Sequence, residues 1–255
     1  MNDYSSVADL YDLYVRATFD LAFFEAEVRR AEGPVLELMA GTGRVSRAIA
    51  PCAASLTCVD RSAPMLRHLQ AACAQRIPAP LIVCADVVAL PLDRAFALVI
   101  VPFNSFAELV SPATQAQTLG ETHRVLRDGG RLIVTLHNPA IRRRSLDAGR
   151  RLLGRFPRPG GGSLELWARD TRTGEGTAAS LQTYRLLDRA GALERVHELT
   201  IAFALIEPPA LVGFAQAAGL RVSACYGDYD RSPFDASTSP FFICELARDA
   251  ARLDS

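Results

Sequence analysis

The sequence predicts an α/β domain built on a mostly parallel sheet, with an antiparallel β meander inserted towards its C-terminal side. Three observations carry this reading. Short apolar runs alternate with helix-compatible stretches from residue 35 to residue 136. The first run leads into Gly41-Thr42-Gly43 and the second ends at Val59-Asp60, the form of a nucleoside-cofactor turn at the top of such a sheet. Beyond Pro139 the spacing changes to β-rich segments parted by turn signals.

Residues 5–31 read as one helix. Leu10, Leu13, Tyr14 and Ala17 recur at helical spacing, and Leu21, Phe24, Ala26 and Val28 continue it more loosely. Gly33-Pro34 ends it. Residues 35–39 form the first strand, and residues 45–50 a helix that Pro51 stops. Residues 56–59 are the second strand. Pro64, at a first-turn position, opens a helix that runs to Ala74. Residues 81–84 and 96–101 are the third and fourth strands. The fourth is apolar throughout, as in a strand covered on both faces. Residues 113–126 are a helix, Asp128-Gly129-Gly130 a turn, and residues 132–136 the fifth strand. Strands alternating with helices imply right-handed crossovers.

Residues 139–162 are rich in Arg, Pro and Gly. Three β segments follow, 164–170, 179–188 and 193–206, separated by Thr173-Gly174 and Ala190-Gly191. Residues 208–219 return to helix with a glycine C-cap, and strands 222–226 and 241–246 flank a polar loop. No internal repeat is present. The expected organisation is an N-terminal helical cap (1–33), an α/β domain (34–140 and 207–255) and an inserted β-rich lid (141–206).

Composition narrows the function classes. Lys plus Arg number 28 and Asp plus Glu 28, so zero net charge speaks against a nucleic-acid partner. Every one of those basic residues is arginine, which removes any lysine base or Schiff-base chemistry. An apolar fraction of 49% is ample for a core. The six cysteines show neither a C-x-x-C pair nor a regular framework; Cys58, Cys84 and Cys244 lie in apolar runs, where cysteine acts as a small hydrophobe. No metal site is expected. The polar, acidic start is unlike a signal peptide and no apolar run is long enough to span a bilayer, so a cytoplasmic location and no membrane partner are expected.

The glycine turn discriminates between nucleoside cofactors. A dinucleotide fingerprint has glycine at its third position, where this chain has Ser46. Glu37, four residues before Gly41, would repel a pyrophosphate but attract an ammonium group. That points to S-adenosylmethionine (SAM), with its α-amino group and sulfonium.

With these residues in view, the chain resembles the class I SAM-dependent methyltransferases. The resemblance rests on Leu36-Glu-Leu-Met-Ala-Gly-Thr-Gly-Arg, Val59-Asp-Arg-Ser-Ala-Pro-Met-Leu, Cys84-Ala-Asp, Phe103-Asn-Ser-Phe and His123-Arg-Val-Leu-Arg-Asp-Gly-Gly-Arg-Leu. It departs at Met39-Ala40, where members often carry Gly-Cys or Ala-Cys. The meander and the opening Ala8-Asp-Leu-Tyr-Asp-Leu-Tyr are similar to the small-molecule branch, which includes amino-sugar and glycine N-methyltransferases. The resemblance implies a Rossmann-like seven-stranded sheet in the order 3-2-1-4-5-7-6 with strand 7 antiparallel.

The resemblance also implies roles. Gly41 and Gly43, beside Ala40, admit the methionine part of SAM, with Glu37 near its ammonium end. Asp60, followed by Arg61, takes the ribose hydroxyls. Met65 flanks the adenine, Asp86 accepts from its amino group, and the Val87 backbone lies nearby. Phe103 lines the methionine and acceptor side, and Tyr11 and Arg44 reach the SAM carboxylate. Glu108 stands where similar small-molecule enzymes often carry histidine, and as a carboxylate it attracts a cationic amine or accepts its proton. His137, ending the fifth strand, is the second candidate catalytic residue.

Tyr14, Trp167, Tyr184, His197 and Tyr229 are candidates for an aromatic acceptor pocket, although core or sheet-surface packing accounts for each of them better. Seven arginines between Arg142 and Arg158 read as a solvated charge run, with an anionic acceptor or carrier phosphate as the alternative. The expected activity is methyl transfer from SAM to a small-molecule nitrogen or oxygen, with carbon open. The meander is expected to act as a lid and to supply a homodimer interface. Two other readings remain on the residues: a non-catalytic SAM-binding sensor or partner protein, and a nicotinamide-dependent oxidoreductase.

Overall fold

The computed structural model describes residues 2–93 and 96–249. Met1 and residues 250–255, assigned above to the cap and to the last segment of the α/β domain, lie outside the described residues. β1 (Val35–Leu38) is buried along its whole length because both of its edges and both of its faces are covered. It pairs in parallel with β2 (Leu56–Asp60), which in turn pairs with β3 (Leu81–Cys84). On its other side it pairs in parallel with β4 (Phe96–Val101), whose unbroken apolar run is buried at every position. Burial of each such side chain contributes about 1.5–3 kcal/mol. β5 (Leu126–His137) continues the parallel set, and two final strands close the sheet antiparallel.

The helices are α1 (Ala8–Tyr14), α2 (Leu21–Arg30), α3 (Arg44–Ile49), α4 (Ala63–Cys73), α5 (Pro112–Val125) and the short α6 (Pro139–Arg144). Ser111 caps α5 by accepting from the Thr114 N–H at 3.1 Å, and Asn138 caps α6 by accepting from Ala140 at 3.0 Å. A second, four-stranded antiparallel sheet follows: β6 (Arg150–Pro157), β7 (Ser163–Gly174), β8 (Thr177–Leu187) and β9 (Leu193–Ala204). α7 (Pro208–Ala217), β10 (Leu220–Tyr226) and β11 (Phe241–Arg248) complete the chain. The large sheet runs β3-β2-β1-β4-β5-β11-β10, which is the expected seven-stranded order with the penultimate position antiparallel. The second sheet packs one face on the N-terminal segment, where Val7 meets Leu164, Leu166, Tyr184 and Leu199.

Three expectations need correction. Residues 5–31 are not one helix: a 3-10 turn (Ser5–Val7) leads into α1, and the chain leaves helix between α1 and α2. Tertiary bonds make the break, because the Ala17 carbonyl and the Asp20 carboxylate both accept from Arg44. Asp128-Gly129-Gly130 is a bulge within β5 rather than a turn before it, since Phe96 pairs with Leu126 and Leu98 already pairs with Arg131. The meander has four strands, not three. β6 is an edge strand whose residues alternate between half-buried and exposed, so no apolar alternation marks it.

All six cysteines are free, and Cys84 is exposed on the β3 edge rather than packed as a small hydrophobe. Among the described residues no group of His, Cys, Asp or Glu is placed to hold a metal, and no helix is long and apolar enough to cross a membrane.

Candidate active site

The carboxyl ends of β1, β2 and β4 open into a cleft with three lobes. The outer lobe, about 600 Å³, lies between Gly41, Asp60, Met65 and the Asp86-Val87 turn, with Tyr11 and Glu108 on its far wall. The inner lobe, about 340 Å³, reaches Glu37, Ala40, Thr42 and Arg44. Tyr11, Met39, Gly41 and Ser105 border both. Phe103 borders the inner lobe and a third, aromatic lobe of about 540 Å³, in which His137 lies.

Asp60 ends β2 with its carboxylate folded over the glycine turn. Gly41 N–H donates to one oxygen at 2.8 Å and Ser62 N–H to the other at 2.8 Å. Burial raises its pKa, and those backbone donors hold it back. Spare lone pairs remain on both oxygens for hydroxyl donors. Gly41 has φ +58 and lines both the outer and the inner lobe. Gly43 has φ +83 but does not line the cleft. A Cβ there would come within 2.7 Å of Leu69 in α4, so this glycine permits close packing of α3 on α4.

Glu37 is 1% exposed and accepts from Ser46 Oγ at 2.6 Å. Burial pushes its pKa up to about 8, against the Ser46 bond and the Arg44 charge. Arg44 lines the inner lobe, but its guanidinium is already held by Asp20 through bonds of 2.6 and 2.5 Å and lies 4.4 Å over the Phe103 ring. Phe103 and Asn104 both sit at positive φ, a strained pair immediately after β4. Tyr11 packs edge-on against Tyr4 and Tyr14, and burial raises its pKa.

Asp86 accepts from Val88 N–H at 3.2 Å and Val87 is buried beside it, so this turn walls the outer lobe with Met65, which is itself buried. Arg61 also lines that lobe. Glu108 receives the Tyr4 hydroxyl at 2.8 Å and the Asn2 amide at 2.9 Å. Burial raises its pKa and those two donors oppose the shift. His137 stacks on Phe241 at 5.5 Å and 26°. Its surroundings, then the Arg142 charge, depress its pKa to about 4. Glu108 and His137 therefore face different lobes, and the fold does not bring the two candidate catalytic residues together.

Of the aromatic candidates, only Tyr229 lines the cleft. Tyr14 and Tyr184 bond to each other at 3.0 Å inside the packing of the second sheet, and Trp167 lies under Arg150. His197 pairs with Tyr184 across β8 and β9. The seven arginines are all engaged internally. Arg142 and Arg151 hold Asp170, Arg143 holds Glu207, Arg144 the Ser237 carbonyl, Arg150 the Trp167 ring, Arg155 Glu165 and Arg158 Glu194. Sequence reasoning missed Asn2, Tyr4, Met39, Ser62 and Ser105 as lining residues. Asn2 and Tyr4 carried no motif, and only the fold brings them beside Glu108. Ser62 was within reach, as the N-cap two residues beyond Asp60.

Residues 35–130 match the family model described as a methyltransferase domain. The match assigns residues 35–130 to a methyltransferase domain, and the seven-stranded fold and the glycine turn around it are those of a methyltransferase whose methyl donor is S-adenosylmethionine. Solved structures with the same fold include the CcbJ methyltransferase from Streptomyces caelestis, at 24% identity and TM-score 0.78 over 98% of this chain and 97% of that one. A SAM-dependent methyltransferase from Clostridium acetobutylicum aligns at 13% identity and TM-score 0.79, covering 97% and 99%. The sugar N-methyltransferase KedS8 from Streptoalloteichus aligns at 19% and 0.76, covering 98% and 94%. No curated protein matches the chain in sequence.

Proposed function

We propose that this chain moves the methyl group of SAM to a nitrogen or oxygen of a small organic acceptor, leaving S-adenosylhomocysteine. The observation that carries this reading is Asp60: a carboxylate at the end of β2, fixed by the Gly41 and Ser62 amides where it lines the outer lobe of the cleft. In this reading the ribose hydroxyls donate to Asp60, and the adenine lies between Met65 and the Asp86-Val87 turn. The methionine end enters the inner lobe, where its ammonium group meets Glu37. Tyr11 and Phe103 exclude water there.

The transfer is an in-line displacement on a sulfonium that is already activated. The acceptor lone pair forms the new bond to carbon as the C–S bond breaks and sulfur keeps the electron pair. The protein's part is alignment and desolvation. Glu108 is the acid placed to attract a cationic acceptor or take its proton, held by the two neutral donors Asn2 and Tyr4. Nitrogen as the acceptor atom draws support from neighbours of the same fold described as a sugar N-methyltransferase and a glycopeptide N-methyltransferase.

Incubation with methyl-labelled SAM and a cell extract, followed by separation by size, tests the proposal. Label in the small-molecule fraction is the expected outcome. Label in protein or nucleic acid overturns the substrate class.

A further inference from the structure

Two thiols away from the donor lobes face each other at one edge of the large sheet. Cys225 of β10 and Cys244 of β11 are directly opposite in the antiparallel register, and their sulfurs stand 4.0 Å apart. Directly opposed residues of an antiparallel pair have Cα atoms about 4.5–5.5 Å apart, inside the roughly 4.4–6.8 Å that a disulfide spans. Rotation of the two side chains therefore closes the gap without rebuilding the ladder. Cys244 is fully buried, whereas Cys225 is half-buried on the last strand of the sheet and is the sulfur that a small solute reaches first. Cys58 in β2 and Cys84 in β3 lie towards the opposite edge, and Cys52 and Cys73 pack in the same cluster as Cys58. One rung beyond the facing thiols, Tyr226 pairs with Ile243, and there the loop 227–240 begins. That loop carries Tyr229 to the aromatic lobe.

We propose that Cys225 and Cys244 form a redox modification site, at which hydrogen peroxide joins them in a cross-strand disulfide that clasps the base of this loop. The inference stands apart from the methyl-transfer reading, because neither thiol lines any lobe of the cleft. Cys225 is the attacking sulfur. The Cys244 S–H donates to its thiolate and brings its pKa down to about 7, against burial. Its bond to Cys225, and then burial, keep Cys244 protonated. The Cys225 thiolate attacks one peroxide oxygen, the O–O bond breaks, and hydroxide leaves to take up the proton that Cys225 released. A sulfenic acid and one water result. The Cys244 sulfur then bonds to the Cys225 sulfur as the S–O bond breaks, and its proton departs with the hydroxyl as a second water. The two thiols are oxidised together and the peroxide is fully reduced, so no further reactant is needed.

The experiment treats the folded protein with a small excess of hydrogen peroxide, alkylates the remaining thiols after denaturation, and maps tryptic peptides by mass. Trypsin cuts at Arg231, between the two cysteines, so a linked pair of peptides reports the bond directly. The expected result is a Cys225–Cys244 link, with Cys58 and Cys73 still alkylated. The thermal midpoint is expected to rise by about 5 °C on oxidation, because the link restrains the unfolded chain, and to fall back with dithiothreitol. Cys225→Ser, which keeps the size of the side chain, should show neither link nor rise. The mapping on the parent protein decides the matter even if that variant folds poorly. Alkylation of both Cys225 and Cys244 after the exposed Cys84 has been oxidised overturns the proposal. So does Cys225 recovered as sulfinic acid with Cys244 still a thiol, since the second step would then fail. A link that leaves the midpoint unmoved overturns the clasp.

Discussion

The molecule buries two sets of acids and treats them in opposite ways. Outside the cleft, Glu27 is held by Arg30 at 2.9 Å, Arg131 at 2.8 Å and Arg231. Asp170 is held by Arg142 at 2.9 Å and Arg151 at 2.7 Å, and Glu165 by Arg155 and Arg185 at 2.6 Å. Burial alone would raise all three pKa values. The arginine bonds, with Ser180 at Asp170 and Trp167 at Glu165, bring them below the ordinary carboxylate range instead. In the cleft, Glu37, Asp60 and Glu108 receive only hydroxyl, amide and backbone donors, and burial wins: all three pKa values are raised. A chain with this many arginines leaves its site acids without an arginine ion pair among the described residues. Acids kept this way suit a ligand that brings its own positive charge, as SAM does with its sulfonium and ammonium groups.

The largest expected effect lies in the paired set. Glu27→Gln removes the shared partner of three arginines and is expected to cost about 3 kcal/mol in urea unfolding. SAM affinity should be unchanged. A loss of SAM affinity with intact stability would erase the distinction between the two sets.

Asp60→Ala should do the reverse. It removes a charged acceptor from two ribose hydroxyls and is expected to weaken SAM binding about 100-fold by calorimetry. The urea midpoint should stay near that of the parent. Unchanged SAM binding would sink the proposed donor site.

Glu37 sharpens the contrast through pH. Its folded pKa of about 8 lies above the ordinary 4.5. Between those values the folded protein holds a proton that the unfolded chain has released, so the stabilising contribution present below pH 4.5 is lost as pH rises towards 8. Glu37→Gln carries no such loss. It is expected to raise the thermal midpoint by about 5 °C at pH 8 and to leave it unchanged at pH 4.5. It should also weaken SAM, because the ammonium loses the acid that its charge ionises on binding. A midpoint shift of equal size at both pH values would show that Glu37 is not buried as a neutral acid.

Much of this was legible in the sequence, and the division follows locality. Gly41, Asp60, Met65 and Asp86-Val87 lie at or just beyond strand ends, and each strand is an apolar run that reveals itself. Glu108 follows β4 in the same way. What escaped depends on contacts between distant segments. The helix break between α1 and α2 exists because Asp20 turns inward to Arg44. β6 was hidden because an edge strand with both faces half-exposed carries no apolar alternation. Asn2 reaches Glu108 only because it also bonds the Ala202 backbone of β9 in both directions, which no local pattern reports. Gly43 has a packing role that the motif does not announce: a Cβ there would meet Leu69 of α4.

Glu108 carries the smallest effect and decides what the unpaired acids are for on the acceptor side. Glutamine there keeps the size of the side chain and can still accept from Tyr4 or Asn2, so stability should change little. It removes the charge. The proposed function then requires the KM for a cationic acceptor to rise about tenfold while the SAM dissociation constant is unmoved. It also fixes a direction in pH. Burial holds the Glu108 pKa above the ordinary carboxylate range, so the ionised form, and the kcat/KM that depends on it, grows in as pH rises past that range. The variant should show a profile without that limb. If the limb persists in Glu108→Gln, the titrating group lies elsewhere. Glu108 would then belong with Glu27 and Asp170, as an acid that fastens Asn2 and Tyr4 to the fold and takes no part in methyl transfer.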